Sequence, residues 1–390
     1  MKVAFLSTFA LDANVSLINA LRKKHDVYFF TEALYEVYNF LDKKKLSKTI
    51  SKGTEVKQLQ PFGELIDLEK TFVVRGVRNS NIFQKLYISY QINQEIKKIN
   101  PDIIIIDNTM LTYIFSTLFN RKKMLLIVHD PFLHSGEKIM TDIYLRKLHF
   151  GLIPNKMLLN NNQKDEFMKY YSYDPKNIYT SFLSVYDFLR YCNKDGQNGY
   201  SGFNILFFGR ISPYKGIKYL LDAFVDILST KKYKDISLTI AGSGNFDFDI
   251  DVYKKFPEIN IINKYIFPDE LASLISQSSV VVCPYTDATQ SGVVMSAYAF
   301  KKPVIATRVG GLPEMVINNK TGLLIDPKDS DAIRNAILEL YENRTLLEDM
   351  SKNIEKMYFY GDKSWDKSAD HFFDAFEKMK NCSQDNHILY

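Results

Sequence analysis

The sequence contains few cysteines and no apolar run long enough to cross a membrane. Its three cysteines, Cys192, Cys283 and Cys382, are odd in number, far apart and in no metal-binding spacing. That pattern fits a reducing compartment without disulfides. A spanning helix needs about 18 consecutive apolar residues, and Asp12 and Asn14 interrupt the apolar start of the chain. This start therefore predicts a buried strand rather than a signal peptide, and we expect a cytoplasmic protein.

Two familiar kinds of glycine-rich nucleotide loop are also missing. The loop AGSGNF at 241–246 is not GxGxxG, and no acidic residue follows it at the spacing that a nicotinamide dinucleotide requires. It is not a Walker loop either. These absences argue against a nicotinamide cofactor and leave the loop open for another ligand.

Positive charge is concentrated in the first half of the chain. Residues 1–195 contain 28 Lys and Arg against 20 Asp and Glu, and the remainder contains 22 against 25, which together give the net charge of +5. A basic half suggests an anionic partner, such as a phosphorylated acceptor or a membrane surface. A solvated lysine-rich face explains it equally well. The basic segments 22–24, 43–48 and 121–123 are candidates to face anionic lipid, although the last precedes a strand and is expected to be simply solvated.

Short apolar runs alternate with amphipathic stretches along the chain. Runs that are buried on both faces and alternate with helices predict parallel sheets. The predicted strands lie at 2–7, 26–30, 101–107, 123–129, 156–160, 203–209, 236–242, 259–263, 279–284, 303–307 and 322–326. The predicted helices lie at 15–24, 82–99, 216–229, 268–277, 292–300 and 329–343. The basic segment 42–53 is interpreted as a helix end that stops at Gly53.

The two series are separated by NKDGQNGYSG at 193–202, which has three glycines in ten residues and predicts a linker. The predicted fold class is therefore α/β, with two doubly wound, Rossmann-like parallel sheets that face each other across a cleft. We place the N-terminal, acceptor-side domain at 1–195 and the C-terminal domain at 200–361.

Candidate ligand-binding residues follow the strands of the second half, where ligands of such sheets bind. Arg210 directly follows a strand, Lys215 precedes a helix, and the two would clamp phosphate oxygens. Gly209 lets a ligand approach the backbone closely. Ser291 and Gly292 stand where a loop becomes a helix, whose free N–H groups favour an anion. An ordinary turn with surface cations and a plain serine cap are the alternatives.

Together these segments resemble the donor-binding domain of family 4 retaining glycosyltransferases, which have the GT-B fold. The resemblance covers about residues 200–360 in order, through FFGRISPYKGIKYLLDAF, AGSG, ATQSGVVMSAYAFKKPVIATRVGGLPEMV and NNKTGLLIDP. In the first half it is weaker and rests on the strand at 2–7 and on LLIVHDPFLHSGE at 125–137. The segment SWDKSADHFFDAF resembles the last helix of this fold, which crosses back to the first domain and which we place at 362–382.

The resemblance implies a donor site for a nucleotide-diphosphate sugar. Arg210 and Lys215 would hold the diphosphate, and the loop at Ser291 and Gly292 would offer N–H groups to the same phosphates. Fixed cations and amides stabilise the charge on the leaving phosphate without a metal, so neither a metal ion nor a cofactor is expected. The other donor-side candidates are Gly209, Gly242, Gly244, Tyr265, Ile266, Ser296 and Glu314, with the nucleobase at the loops 242–244 and 265–266.

The sequence departs from the family pattern in two places. Many members carry two glutamates with seven residues between them, and the matching positions here are Ala288 and Ser296. Similar sequences with a QSG segment and no Glu pair form a branch of the family, in which the Ser296 hydroxyl would replace a ribose-binding carboxylate. Glu314 matches a frequent family glutamate, with a simple helix-start residue as the alternative. The first loop, STFALDAN, lacks the usual glycines, and its Asp12 and Asn14 would contact the acceptor or sugar, or cap a helix at 15–24.

On the acceptor side, the resemblance identifies His129 with a family histidine that orients the sugar. Asp130 would hold the histidine tautomer or contact acceptor hydroxyls, so that His129 and Asp130 are the catalytic candidates. A lone structural histidine after a strand is the alternative. The acceptor-side candidates are Asp12, Asn14, His134 and Glu137.

The function expected from the resemblance is transfer of a sugar from a nucleotide-diphosphate sugar to a sugar hydroxyl, with retention, in bacterial surface polysaccharide or glycolipid assembly. The expected partners are the donor, a glycan or lipid-linked acceptor and the inner face of an anionic membrane, with no nucleic acid. One alternative is a non-catalytic binding subunit, motivated by the missing Glu pair. The other is a different GT-B enzyme, such as a sugar-nucleotide epimerase or a phosphorylase.

Overall fold

The chain forms two compact units. The computed structural model describes residues 1–9, 11–34, 41–77, 80–129, 140–159, 161, 163–193, 202–288 and 291–385. One unit comprises Met1–Leu183 and Trp365–Tyr390, and the other comprises Ser184–Ser364. Residues 184–193, which the sequence analysis assigned to the N-terminal domain, lie in the second unit. Most of the predicted linker, 194–201, lies outside the described residues.

The first unit is built on an eight-stranded sheet. Its strands are β1 (Lys2–Ser7), β2 (Asp26–Ala33), β3 (Ile50–Lys52), β4 (Thr71–Arg75), β5 (Ile103–Ile106), β6 (Met124–Val128), β7 (Asn155–Leu158) and β8 (Ile178–Thr180). They lie in the order β3-β4-β2-β1-β5-β6-β7-β8. Neighbouring strands run parallel except β3 and β4, which are antiparallel. The four isoleucines of β5 are all buried, as expected for a central strand covered on both faces.

The second unit is built on a six-stranded, all-parallel sheet. Its strands are β9 (Phe203–Phe208), β10 (Ile236–Gly242), β11 (Ile259–Asn263), β12 (Val280–Cys283), β13 (Val304–Thr307) and β14 (Gly322–Ile325). They lie in the order β11-β10-β9-β12-β13-β14. The chain leaves β9 toward β10 on one side and returns to β12 on the other, so the order of the strands reverses at β9.

Helices connect the strands in both units. Those of the first unit are α1 (Leu11–Leu21), α2 (Ile82–Ile99), α3 (Ile114–Asn120), α4 (Met140–Leu152), α5 (Lys164–Tyr171) and, from the end of the chain, α14 (Trp365–Asp385). Those of the second unit are α6 (Phe188–Cys192), α7 (Ile217–Ser229), α8 (Asp251–Lys254), α9 (Pro268–Gln277), α10 (Gly292–Ala299), α11 (Leu312–Met315), α12 (Ser330–Glu342) and α13 (Arg344–Ile354). In α2, Ile88, Ile92 and Ile96 are buried at a spacing of four residues and fix its face toward the sheet.

The last helix, α14, packs within the first unit. The His25 ring, which follows α1, contacts the rings of Phe373 and Phe376 at centroid distances of 4.8 and 5.6 Å. Next to β8, the Ser181 and Ser368 hydroxyls lie 2.8 Å apart. Among the described residues, none of the helices combines the length and apolar character needed to cross a membrane.

The predicted fold class is confirmed as two Rossmann-like parallel sheets, with local corrections. The segment 42–53 is not a helix end, because it forms a short 3-10 turn at Lys43–Lys45 followed by the edge strand β3. Asp42 caps this turn through the Lys44 N–H at 2.9 Å. The first helix begins at Leu11 rather than near residue 15, so Asp12 and Asn14 lie inside its first turn and do not cap it.

Candidate functional site

In the second unit, the strand-order reversal at β9 brings two loops together. Arg210 follows β9 and is exposed. A Cβ added to Gly209 would lie 3.5 Å from Cγ2 of Val293, so the first turn of α10 stands beside this loop. Crevices at such reversals are the usual ligand sites of doubly wound sheets. The loop that carries Arg210 and the first turn of α10 are therefore neighbours at the carboxyl end of the second sheet.

The Lys215 ammonium group lies over the rings of Tyr214, in its own loop, and Tyr285, in the loop after β12. Its Nζ lies 3.6 Å from the centroid of the Tyr285 ring and 5.0 Å from that of Tyr214. The Tyr214 carbonyl accepts from the Thr286 N–H at 2.8 Å, which ties the loop after β9 to the loop after β12. A cation on a ring face is restrained without being neutralised. The two rings thus restrain the position of the Lys215 ammonium group at the carboxyl end of the second sheet.

Glycine is required where the loops after β9 and β10 continue to pair beyond the strands. The Gly209 N–H donates to the Ala241 carbonyl at 3.0 Å, and the Ile211 N–H donates to the Ser243 carbonyl at 2.9 Å. Gly244 has a φ of +147°, and a Cβ there would overlap the Ile211 carbonyl oxygen. A Cβ at Gly242 would likewise overlap the Gly209 carbonyl oxygen. Both glycines have a structural reason to be glycine, independent of any nucleobase.

The helix α10 begins without a side-chain cap. Ser291 is buried, and its Oγ lies 3.4 Å from the Tyr285 hydroxyl. The Ser291 side chain makes no capping bond to the helix, so the first amides of α10, at Gly292 and Val293, lack a partner of that kind. The plain serine cap considered from the sequence is therefore absent. Ser296 is buried one turn further along α10.

The remaining donor-side candidates sit at neighbouring strand ends. Tyr265 and Ile266 follow β11 and are half-buried, and the Tyr265 ring packs edge-on against Phe267 at a centroid distance of 5.1 Å. Glu314 lies half-buried in α11, after β13. Ala288 is buried, and its carbonyl oxygen is where a Cβ on Gly310 would fall. All these positions border the carboxyl end of the second sheet.

In the first unit, a buried carboxylate joins the ends of three central strands. Asp107, after β5, is buried and its Oδ1 lies 2.5 Å from Nε2 of His129, after β6. Its Oδ2 accepts from the Ser7 hydroxyl at the end of β1 at 3.0 Å and from the Asn14 amide at 2.7 Å. The half-buried His129 is thus oriented by Asp107. The sequence analysis missed Asp107, although its place at the carboxyl end of a strand was a usable signal.

A second buried carboxyl group, that of Glu32, contacts the loop after β1. Glu32, near the end of β2, is buried, and its Oε1 accepts from the hydroxyls of Thr8 and Thr112 at 3.1 and 2.5 Å. The Tyr113 hydroxyl lies 2.8 Å from the Thr8 hydroxyl. Burial raises the pKa of Glu32 and raises that of Tyr113 well above its usual value. Through Thr8, this cluster holds the loop after β1 from the side opposite Asp107.

The acceptor-side candidates separate into described and undescribed residues. Asn14 is buried and turns its amide toward Asp107, Ser7 and the Phe9 carbonyl. Asp12 is half-buried and accepts from the Ala13 N–H at 2.9 Å, and burial raises its pKa. The candidates that lie outside the described residues are Asp130, His134 and Glu137.

Two overlapping Asp-x-Asp triplets, at 247–251, were left out of the site by the sequence analysis. They precede and open α8. Asp249 accepts from the Asp251 N–H at 3.0 Å, and Asp251 pairs with Lys254 at 2.7 Å. Within the described part of the chain, no three His, Cys, Asp or Glu side chains are grouped so as to hold a metal ion.

The fold places the protein in the GT-B class: two Rossmann-like units, each with polar or charged side chains at the carboxyl ends of its central strands. Residues 202–343 match the family described as glycosyl transferases group 1. Over 98% of its length the chain resembles, at 15% identity and with a TM-score of 0.67, all of the sucrose-phosphate synthase of Thermosynechococcus elongatus. Over its full length it resembles all of the Anabaena protein HepE, solved in complex with UDP, at 16% identity and with a TM-score of 0.59.

Curated relatives match part of the chain. An uncharacterized glycosyltransferase of Methanocaldococcus jannaschii is 31% identical over 179 residues, which are 45% of this chain and 48% of that protein. The D-inositol 3-phosphate glycosyltransferase of Arthrobacter sp. strain FB24 is 32% identical over 162 residues, or 38% of this chain and 37% of that protein. The chain therefore spans about half or less of the length of these relatives. The family match at residues 202–343 lies within the second unit.

Proposed function

We propose that this protein is a retaining glycosyltransferase of the family 4 type. It would transfer a sugar from a nucleotide-diphosphate sugar to a sugar hydroxyl of a glycan or glycolipid, in bacterial surface polysaccharide assembly. The observation that carries the proposal is the crevice at β9, where Arg210, Lys215 and the first turn of α10 stand together. The match of residues 202–343 to glycosyl transferases group 1 covers this crevice.

The donor part of the proposal follows from charge. Transfer breaks the bond between the anomeric carbon and a diphosphate oxygen, so negative charge grows on the leaving nucleoside diphosphate. Arg210 and Lys215 supply two permanent cations there, and the amides of Gly292 and Val293 add dipoles that need no reorganisation. In the proposed site Ser296 is near the ribose, and the loops at 242–244 and 265–266 border the nucleobase.

The acceptor part of the proposal places a sugar hydroxyl near His129. In a retaining transfer the new bond forms on the face that the diphosphate leaves, and the acceptor proton passes to a diphosphate oxygen. His129 then acts by orienting the acceptor rather than as a general base. Asp107 fixes the orientation of this ring by its bond to Nε2.

We propose that the reaction requires neither a metal ion nor a cofactor, because in the proposed site the two cations and the helix amides would face the diphosphate. The alternative is that the Asp-x-Asp triplets at 247–251 bind a metal ion that the reaction needs. We expect transfer to persist in excess EDTA and in an Asp249→Asn variant. Loss of activity in EDTA that added Mg²⁺ or Mn²⁺ restores would contradict this part of the proposal.

Binding of a panel of UDP-, GDP-, ADP- and TDP-sugars tests the donor site by ligand-observed NMR. We expect one nucleotide class to bind the wild type, and the Arg210→Ala/Lys215→Ala variant to lose at least about 100-fold in affinity, since each charged hydrogen bond contributes about 1.5–3 kcal/mol. Lys218→Ala/Lys234→Ala, which removes two exposed lysines of the same unit, is the matched control. No binding to any donor would overturn the proposal and favour a non-catalytic subunit.

Product analysis separates transfer from the related chemistries. Retention is read from the anomeric coupling constant of the new linkage. An epimerase would release free nucleotide and an altered sugar without any acceptor. A phosphorylase would show the absorbance of lysine-bound pyridoxal phosphate.

A further inference from the structure

Exposed large apolar side chains are concentrated on three consecutive helices of the first unit. Of the fourteen such side chains in the described residues, eight belong to α2, α3 and α4. Phe83 is 78% exposed, Phe119 is 66% exposed and Tyr144 is 64% exposed. The other five are Ile82, Tyr87, Tyr90, Leu118 and Leu148. A scatter of single exposed apolar residues is ordinary, but a concentration on one layer of helices indicates an interaction surface.

The exposed apolar residues lie on helices that pack next to one another, α2 against α3 and α3 against α4. On α2, Phe83, Tyr87 and Tyr90 follow the helical spacing of one stripe. At the far end of that helix, Lys97 Nζ lies 5.5 Å from the centroid of the Phe119 ring of α3. From Phe83 to Lys97 the helix rises about 21 Å at 1.5 Å per residue. We call the solvent side of α2, α3 and α4 the aromatic–basic surface.

These helices, together with the 3-10 turn Arg121–Lys123 that follows α3, carry a strong excess of positive charge, and the turn is included in the aromatic–basic surface. The segments 82–99, 114–123 and 140–152 contain eight Lys and Arg against two Asp and Glu. Their net charge of +6 exceeds the +5 of the whole chain. Arg121, Lys122 and Lys147 are exposed among the aromatic side chains. The segment 121–123, which the sequence analysis expected to be simply solvated, is thus part of a larger basic and aromatic surface.

We propose that the aromatic–basic surface docks the protein on an anionic lipid bilayer. Aromatic rings with a polar edge partition into the boundary between headgroups and acyl chains, and lysine and arginine beside them attract anionic headgroups. A soluble polyanion would use the charges but would gain nothing from Ile82, Phe83 or Leu118. A protein partner would use the apolar side chains without needing a net charge of +6. The coincidence of the two properties favours the bilayer, and this inference does not depend on the proposed sugar transfer.

Flotation of the full-length protein with vesicles tests the docking directly. We expect it to bind phosphatidylcholine vesicles that contain 30% phosphatidylglycerol and not pure phosphatidylcholine vesicles. Binding should fall as salt rises from 50 to 500 mM, because counterions screen the attraction. Arg121→Gln/Lys122→Gln/Lys147→Gln should lower the partition coefficient by about 100-fold, since each basic residue near an anionic surface is worth about a factor of five.

Two matched controls keep the test specific. Lys234→Gln/Lys320→Gln/Lys352→Gln removes the same charge from exposed positions of the second unit and should bind as the wild type does. Phe83→Gln/Phe119→Gln should lose at least about tenfold in partition, whereas Val252→Gln/Tyr360→Gln, which alters exposed apolar residues of the second unit, should not. Unchanged circular dichroism and thermal unfolding show that each variant is folded.

Four outcomes would overturn the proposal. The first is no binding of the wild type to anionic vesicles. The second is equal loss in the control variants, which would mean attraction by net charge alone. The third is a Phe83→Gln/Phe119→Gln variant that binds anionic vesicles normally, which would mean a purely electrostatic surface. The fourth is self-association that the same variant abolishes while vesicle binding persists, which would assign the face to a second copy of the chain.

Discussion

Asp107 is the residue at which the ends of β1, β5 and β6 converge, and it is the sharpest test of the acceptor side. Asp107→Asn keeps the size of the side chain but weakens the bond to Nε2 of His129. If the ring is a positioning group, we expect kcat to fall by about 100-fold, the loss that a misplacement of about 1 Å produces. The donor affinity should stay within about twofold. Steady-state kinetics with donor binding measured separately check this.

The outcome that counts against this prediction is an equal loss of donor binding, which would mean that Asp107→Asn perturbs the whole fold. His129→Gln provides the comparison. If Asp107 acts only through the ring, the variant that combines both changes should be no slower than His129→Gln alone. A further loss in the combined variant would give Asp107 a role of its own.

Lys156 carries a pH dependence of stability. Its side chain is buried in β7, its Nζ donates to the Ile153 carbonyl at 2.6 Å, and burial lowers its pKa to about 8. The native state therefore releases this proton near pH 8, whereas the unfolded chain holds it to about 10.5. The unfolded state binds more protons in this window, so the free energy of unfolding rises with pH.

Lys156→Met removes this contribution. The difference in free energy of unfolding, wild type minus variant, should rise by roughly 2 kcal/mol between pH 7 and 9.5, at 1.36 kcal/mol per pH unit above the native pKa. Urea unfolding at a series of pH values measures it. Lys169→Met, at an exposed lysine of the same unit, should give a flat difference. A flat profile for Lys156→Met would show that the native lysine stays charged.

At the scale of elements, the paired loops after β9 and β10 depend on glycine. Gly244→Ala forces a Cβ against the Ile211 carbonyl at a φ of +147°, and we expect a loss of about 2 kcal/mol or more in the stability of the second unit. Gly151→Ala is the matched control, because a Cβ there meets nothing within 4 Å and lies in α4. That change should be neutral or stabilise by about 0.5–1 kcal/mol. Thermal unfolding compares the two, and equal effects would contradict the reason given for Gly244.

In the second unit, sequence pattern located the six strands and the helices α7, α9, α10 and α12 within about two residues, because their signals are local. It missed the helices α6, α8, α11 and α13, and in the first unit it missed the parallel strands β4 and β8. The strand at Ile236–Gly242 and the helix at Pro268–Gln277 were predicted with these bounds. The edge region failed, because β3 is a three-residue strand whose direction is set by its pairing with β4. In the site, Arg210 and Lys215 were selected from their place between a strand and a helix and from the family resemblance, and their binding role stays a prediction. The strand-end position of Asp107 was visible in the sequence, but its contacts were not, because its partners are 100 and 22 residues away in sequence.

At the scale of the whole molecule, the single tryptophan makes it possible to follow unfolding of the first unit separately from unfolding of the second. Trp365 is the only tryptophan, is buried, and begins α14, which belongs to the first unit. Its fluorescence therefore reports unfolding of that unit, whereas far-ultraviolet circular dichroism reports both. If the two units unfold as separate cooperative bodies, a core change in one should leave the transition of the other in place.

Phe376→Ala and Ile337→Ala form the matched pair for this test. Phe376 is fully buried in α14, and its truncation should cost the first unit about 3–5 kcal/mol and lower the fluorescence midpoint. Ile337 is fully buried in α12 of the second unit, and its truncation should cost that unit about 2–5 kcal/mol. The midpoint of the circular dichroism transition of the second unit should fall, and the midpoint measured by tryptophan fluorescence should not change. If either change shifts both transitions equally, the two units unfold as one cooperative body and the prediction is wrong.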